Sequence, residues 1–286
     1  MDKPGFALKD ANIALVGLGL MGGSLALSVK SRCRRLSAFD PDLATLELAR
    51  RQEIVHVAES DPAKALADAD LVILACPVPA ILDWIRRLPD YIQHPCIVLD
   101  LGSSKRTIVA ALKSLPANFD PLGGHPICGR ERLSLENAER FLYRDTPFAL
   151  TPLPRTSDRA RTAARQLVEV LGARPLWLDA ASHDRILAAT SHLPYLLSSA
   201  LALATPEEAA PLVGPGFRSS TRLAGTPSSM MLGVLQSNRD NVLDAIDRLQ
   251  VQLAAIKSAL LTNTPDQLQA GLDAARAHYQ QLITEN

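Results

Sequence analysis

Through residue 179 short apolar runs alternate with amphipathic stretches; beyond it only helical spacing persists. NIALVG (12–17), LSAFD (36–40), DLVILAC (70–76) and CIVLDLG (96–102) read as strands, the third being the near-continuous apolar run of a strand buried on both faces. Residues 20–30, 43–51 and 105–115 carry helical patterns between them. FDPLGGHP (119–126) reads as a short strand emptying into a glycine-rich loop. FALTP (148–152) and RPLWLD (174–179) are two more strands, separated by a helix over 157–171 that Gly172 ends, which places them on the same sheet. After Asp179 the spacing predicts a long helix over 181–204, kinked at Pro194, and a turn at VGPGF (213–217). One helix or two follow over 230–261, and a last helix over 264–283 opens with Pro265. The pattern predicts an α/β domain over 1–179, a Rossmann-type doubly wound and mainly parallel sheet. An all-helical domain over 180–286 completes the chain.

Composition narrows the classes. The 286 residues are 47% hydrophobic but only 4% aromatic, so the core rests on Ala, Leu, Val and Ile. Thirty basic and thirty acidic residues balance, which argues against a nucleic-acid partner. Cys33, Cys76, Cys96 and Cys128 are too scattered for structural zinc or a disulfide framework, so no metal is expected and the thiols read as reduced. The N-terminus lacks a signal-peptide pattern, and the apolar stretch 71–85 is broken by Pro77, Pro79 and Asp83 and too short to cross a bilayer. A cytoplasmic protein without a membrane partner is the expectation.

Gly17-Leu-Gly19-Leu20-Met21-Gly22 follows the first strand and opens the first helix. That is the setting in which a glycine fingerprint makes a tight turn, lets a pyrophosphate approach backbone, and seats it on a helix N-terminus. Asp40, at the end of the second strand, suits the ribose hydroxyls and would repel a ribose phosphate. NAD is therefore expected, with NADP left open by Arg34 and Arg35 beside that strand. Cys76, Pro77 and Val78 would line the nucleotide crevice. The alternative is that the glycines form only a tight turn and Asp40 only a helix cap before Pro41.

Three further polar segments stand near strand ends or helix turns: Asp100-Leu-Gly-Ser103-Ser104-Lys105, Gly123-Gly-His125-Pro-Ile-Cys-Gly129, and Ser191-His192-Leu-Pro194. Gly216-Phe-Arg218-Ser-Ser-Thr-Arg222 adds two guanidinium groups. Histidine suits proton transfer near neutrality, and arginine grips a carboxylate through paired hydrogen bonds. Ligands of open α/β sheets bind beyond the carboxyl ends of the strands, where the first two segments would meet a nicotinamide. The composite reads as oxidation of a small molecule bearing a hydroxyl and a carboxylate. His183-Asp184, at the start of the helical region, forms a candidate local pair.

GLGLMGGSLA, DLGSSK, GGHPICG, SHLP and GFRSSTRLA, in this order, resemble the prephenate/arogenate dehydrogenase family of tyrosine biosynthesis. The resemblance covers almost the whole chain. It implies oxidative decarboxylation: hydride leaves the hydroxyl-bearing ring carbon for NAD while carbon dioxide leaves the opposite ring position, and aromatisation drives both. It further implies that His125 deprotonates the ring hydroxyl, Ser103 holds histidine and hydroxyl in register, Arg222 binds a substrate carboxylate, and His192 shapes the pocket. Ser104 and Arg218 join the candidate substrate contacts. Tyr195 stands where some members carry a second histidine, and Arg130-Glu131 where others carry small or acidic residues. These departures bear on whether the substrate is the keto acid prephenate or the amino acid arogenate. The resemblance also implies a homodimer through the helical domain, and neither a fused mutase nor a regulatory domain is expected. A β-hydroxyacid dehydrogenase would carry a catalytic lysine early in the helical region, where Lys257 is the sole lysine after residue 179 and lies far down the chain. A non-catalytic NAD sensor would have no need of an acid/base group beside the nicotinamide.

Overall fold

A computed structural model describes residues 5–129 and 133–284. The chain falls into two units, Met1–Arg239 and Asp240–Asn286. The first is built on eight strands: β1 (Asn12–Val16), β2 (Arg35–Phe39), β3 (Val57–Glu59), β4 (Leu71–Leu74), β5 (Cys96–Asp100), β6 (Phe119–Pro126), β7 (Pro147–Pro152) and β8 (Arg174–Trp177). They lie in the order β3-β2-β1-β4-β5-β6-β7-β8, and every neighbouring pair is parallel except β6 with β7. The chain reverses its direction of travel across the sheet between β1 and β4, which opens a crevice at their carboxyl ends.

Strand alternation divides the core between the two faces. Ile13, Leu15, Leu36, Ile73 and Leu99 pack into one apolar layer; Ala14, Val16, Val72, Leu74 and Trp84 pack into the other. Each fully buried aliphatic side chain contributes on the order of 1.5–3 kcal/mol, so two covered faces compensate for the scarcity of aromatics. The covering helices are α1 (Leu20–Val29), α2 (Leu43–Arg51), α3 (Pro62–Leu66), α4 (Val78–Tyr91), α5 (Arg106–Lys113) and α6 (Asp158–Leu171). Their ends follow local chemistry. Asp42, Asp61 and Ser157 each accept amide N–H bonds as N-caps, and Gly172 closes α6 in the left-handed region at φ 67°.

The GGHP segment departs from the expected loop. Gly123, Gly124 and His125 belong to β6 itself, with His125 opposite Ala149 of β7. The glycines are needed for close packing rather than bending: a Cβ on Gly123 would stand 2.1 Å from Thr151 Oγ1, and one on Gly124 2.7 Å from the Asp100 carbonyl oxygen. β3 and α3 were not anticipated because three and five residues are too short to display a period.

Beyond β8 the described residues are helical. α7 (Ala180–Leu187) passes through one π-helical turn, Ala188–His192, into α8 (Leu193–Ala204), so the expected break near Pro194 is an over-wide turn with Pro194 placed in the first turn of α8. This run is long and apolar enough to cross a membrane by length and composition, and it is longer than the 71–85 stretch. It also buries His183, Asp184 and His192, which bond to the sheet loops and α10 as a helix packed within a folded domain does. The expected turn at 213–217 is instead the start of α9 (Pro215–Thr221), because Pro215 pre-sets a first helical turn. The stretch 230–261 resolves into two helices, α10 (Ser228–Ser237) and α11 (Arg239–Leu261). Apart from Arg239, α11 belongs to the second unit, which ends with α12 (Pro265–Thr284); Asn263 turns between them at φ 51°. No residue of α12 is buried.

Candidate active site

At the crevice Gly17 adopts φ +99°, and a Cβ there would meet the Ala75 carbonyl oxygen at 2.6 Å. Gly22 lies so close beneath that a Cβ would fall 2.0 Å from the Gly17 carbonyl oxygen. Gly19 is the N-cap of α1 and supplies no side-chain cap, and the first turn holds no acid. The Leu20 amide donates to the Leu133 carbonyl at 2.7 Å, so an external anion would meet the helix N-terminus through the amides that follow Leu20. The N-terminus opens onto a cavity of about 320 Å³ whose lining includes Gly19, Leu20, Met21, Cys76, Pro77, Val78 and Ser103. Asp40 reaches back from the end of β2: Oδ2 accepts the Leu18 amide at 2.8 Å and Oδ1 the Asp42 amide at 2.9 Å. It therefore braces the fingerprint loop while Asp42 caps α2, which separates it from the cap reading. Arg35 pairs with Asp68 at 3.7 Å, and Arg34 is exposed. Burial pushes the Cys76 thiol up to about 12, so it lines the cavity as an inert side chain.

A buried polar cluster occupies the carboxyl ends of β5 and β6. Lys105 and Asp100, both without solvent exposure, form an ion pair; the Lys105 ammonium also donates to the Gly124 carbonyl at 2.6 Å. Asp100 further accepts the amides of Gly102 (2.8 Å) and Gly124 (3.2 Å), clamping β5 to β6 next to His125. Burial lowers the Lys105 pKa, with Asp100 opposing that shift. From α7, Asp184 accepts the Lys105 and Arg106 amides at 2.6 and 2.9 Å, the donors left open at the start of α5. His183 Nδ1 lies 2.8 Å from Asp184 Oδ1, as the candidate pair implied, and its Nε2 lies 2.9 Å from His125 Nδ1. His192 Nδ1 lies 3.2 Å from Asn238 Nδ2, which also donates to the Asp184 carbonyl at 2.7 Å.

His125 and His192 are held neutral. Burial drives the His125 pKa well below its ordinary value, and His183, Lys105 and His192 reinforce the shift. Burial takes His192 down to about 4, with Asp184 opposing and His183 adding to the effect. A neutral imidazole offers a ring-nitrogen lone pair to an incoming proton.

The other expected contacts spread over a wider area. Ser103 lines the cavity, whereas Ser104 is fully buried and bonded to Ser237 at 2.6 Å, tying α10 to the β5 loop. Tyr195 is half-buried against the apolar layer that includes Met231 and Val234. Arg218 on α9 and Arg222 at the start of the following 3-10 turn are exposed. Arg130 and Glu131 lie outside the described residues. In the sequence Asp100 and Lys105 stand out only as part of the DLGSSK motif, and Asn238, set between QSN and RDN, carries no chemical signal. Among the described residues no cluster of three His, Cys, Asp or Glu side chains is arranged for a metal ion.

A family model described as prephenate dehydrogenase, nucleotide-binding domain, matches residues 25–176, and one described as prephenate dehydrogenase, dimerization domain, matches residues 179–274. The chain belongs to the prephenate dehydrogenase family. It is 30% identical to prephenate dehydrogenase of Bacillus subtilis over 84% of this chain and 67% of that protein. It is 27% identical to cyclohexadienyl dehydrogenase of Zymomonas mobilis over 90% of this chain and 91% of that one. Among solved structures it resembles prephenate dehydrogenase from A. aeolicus in complex with hydroxyphenyl propionate and NAD+, with TM-score 0.89, 25% identity, and coverage of 97% of this chain and 100% of the other. Synechocystis arogenate dehydrogenase matches with TM-score 0.81 at 26% identity, over 95% of this chain and 99% of that one. Family membership makes the chain an oxidoreductase, and the fingerprint cradle accounts for its cofactor, NAD.

Proposed function

We propose that this family member catalyses NAD-dependent oxidative decarboxylation of prephenate to 4-hydroxyphenylpyruvate in the cytoplasm. The observation that carries the reading is the neutral, buried His125, fixed on β6 behind the Ser103 loop and held by His183. Bound NAD would rest on the α1 N-terminus with Asp40 toward its ribose, and it supplies the hydride acceptor. His125 accepts the proton of the ring hydroxyl as the carbon–oxygen double bond develops. Ser103 holds that hydroxyl in register. Arg222, from the turn after α9, binds a substrate carboxylate, with Arg218, Tyr195, Arg130 and Glu131 as further candidate contacts; Ser104, bonded to Ser237, is instead a tie between α10 and the β5 loop. His192 closes the site from the helical side. Loss of carbon dioxide leaves an aromatic ring, so the residues need only orient the substrate and remove one proton.

The division 1–179 for nucleotide and 180–286 for substrate and dimer contacts belongs to the same reading. The match of 179–274 to a dimerization domain supports a homodimer, as do the exposed Leu203 and Leu212. Arogenate is the second reading, favoured by the near full-length likeness to a cyclohexadienyl dehydrogenase. Steady-state rates for prephenate and arogenate, each with NAD and NADP, test both; prephenate with NAD is expected to give the highest kcat/KM. His125→Asn is expected to lower kcat by about 10²–10⁴-fold, the usual contribution of a positioned base. Near wild-type turnover by that variant would remove His125 from its role. Absence of turnover by the wild type with either substrate would remove the reaction.

A further inference from the structure

The buried cluster constrains where protons sit, and its two branches give opposite results. In the first, the amides of Lys105 and Arg106 both point at the Asp184 carboxylate. Backbone N–H groups only donate, so the carboxylate is an acceptor on both oxygens. His183 Nδ1 must then carry the proton it shares with Asp184 Oδ1. With its one ring proton on Nδ1, His183 has a bare Nε2, which can only accept from His125 Nδ1. His125 therefore holds its proton on Nδ1, and its Nε2 carries a lone pair. In the second branch the acceptor is the Asp184 carbonyl oxygen, which fixes the Asn238 nitrogen as donor. That nitrogen also donates to His192 Nδ1, which places the His192 proton on Nε2. His192 is 1% exposed, and its Nε2 has no hydrogen-bond partner among the described residues. A buried N–H without a partner has a strong demand for an oxygen acceptor.

The geometry points to Asp184 and Asn238 as positioning residues that fix opposite tautomers on two histidines, leaving His125 to accept a proton and His192 to donate a hydrogen bond to a substrate oxygen. This rests on His125 being the base. A ligand satisfying both carries a hydroxyl that must lose its proton and a second oxygen, carbonyl or carboxylate, that needs a donor. The charged and titratable groups around the cluster are Lys105 and Asp100 from the β5 end, Asp184 and His183 from α7, and His192 from the π-turn. The Lys105 ammonium disfavours a second positive charge on His125.

The test is long-range ¹H–¹⁵N spectroscopy of the full chain labelled at histidine, with signals assigned by single histidine substitutions. The expected wild-type spectrum shows an unprotonated Nε2 for His125 and an unprotonated Nδ1 for His192. Asn238→Asp replaces the donor with an acceptor and is expected to move the His192 proton to Nδ1. It should raise KM for the cyclohexadienyl substrate about tenfold, while KM for NAD stays within threefold. Asp184→Asn turns an amide toward His183 and is expected to move the His125 proton to Nε2, lowering kcat by about 10²-fold or more. Because Asp184 also caps α5, His183→Phe serves as a second variant that cuts the link to His125 and leaves the carboxylate in place. The wild-type spectrum needs no variant to fold. An active wild type with the proton on His125 Nε2 or on His192 Nδ1 overturns the proposal and leaves the reaction standing. An inactive wild type with the assigned protons supports their placement and removes the reaction.

Discussion

Replacing Lys105 with methionine isolates the buried ion pair that clamps β5 to β6. The substitution keeps most of the stem volume and removes the ammonium, which bonds Asp100 and the Gly124 carbonyl. Breaking a buried pair by deleting one partner costs about 3–5 kcal/mol, because the remaining charge stays in a poorly solvating interior. Asp100 still accepts the amides of Gly102 and Gly124, which places the expected loss at the lower end, about 3 kcal/mol. A unit of this size shifts its melting temperature by about 2–4 °C per kcal/mol, so a fall of roughly 6–12 °C is expected. Urea unfolding followed by circular dichroism measures the free energy directly. Adding Asp100→Asn to Lys105→Met removes the stranded charge and should restore at least about 1 kcal/mol relative to the single variant. A loss under about 1 kcal/mol for Lys105→Met, or strict additivity in the double variant, would refute the argument that the pair holds the strands.

Acid should destabilise the fold through its histidines. His192 titrates near 6.5 when unfolded and at about 4 when folded, so its contribution is complete above pH 6.5 and is lost as pH falls toward 4. The full shift corresponds to roughly 3 kcal/mol, with His125 acting in the same direction; a flat urea midpoint between pH 7 and 5 would contradict it. Gly17→Ala forces a Cβ into a left-handed residue and against the Ala75 carbonyl, and is expected to raise the NAD dissociation constant at least tenfold by calorimetry, with unchanged affinity as the contrary result. Asp40→Ala removes the carboxylate that braces Leu18, and the NADP-to-NAD ratio of kcat/KM should rise about tenfold; an unchanged ratio would assign cofactor choice elsewhere.

The sheet was legible because buried strands such as Leu71–Leu74 must be apolar throughout, and because a glycine fingerprint has meaning only between a strand and a helix. Asp40 was legible for the same reason: its place after β2 follows from topology. The GGHP segment was misread because paired glycines signal a loop on average, whereas here they allow Thr151 and Asp100 to approach the strand. VGPGF (213–217) likewise reads as a turn, whereas its Pro215 starts a helix. The polar cluster was only half visible. His183 and Asp184 adjoin in sequence, but their partners Lys105, His125 and Asn238 come from three other segments, and no spacing rule joins residues separated by the fold.

The π-turn at 188–192 has a consequence for insertions and deletions. His183 and His192 are nine residues apart, which on a regular α-helix is about 900° and would put them on opposite sides of the cylinder. One extra residue in the wide turn takes up about 100° of that rotation and turns His192 back toward the side that His183 faces. Deleting one residue of 188–192 would turn the wide turn into regular α-helix with α8 still in phase with α7, whereas inserting one more would rotate α8 by about 100° relative to α7. Chain length in this turn is therefore a determinant of the site in its own right: a shortened variant would keep the two histidines on one side, and a lengthened one would be well folded yet misphased.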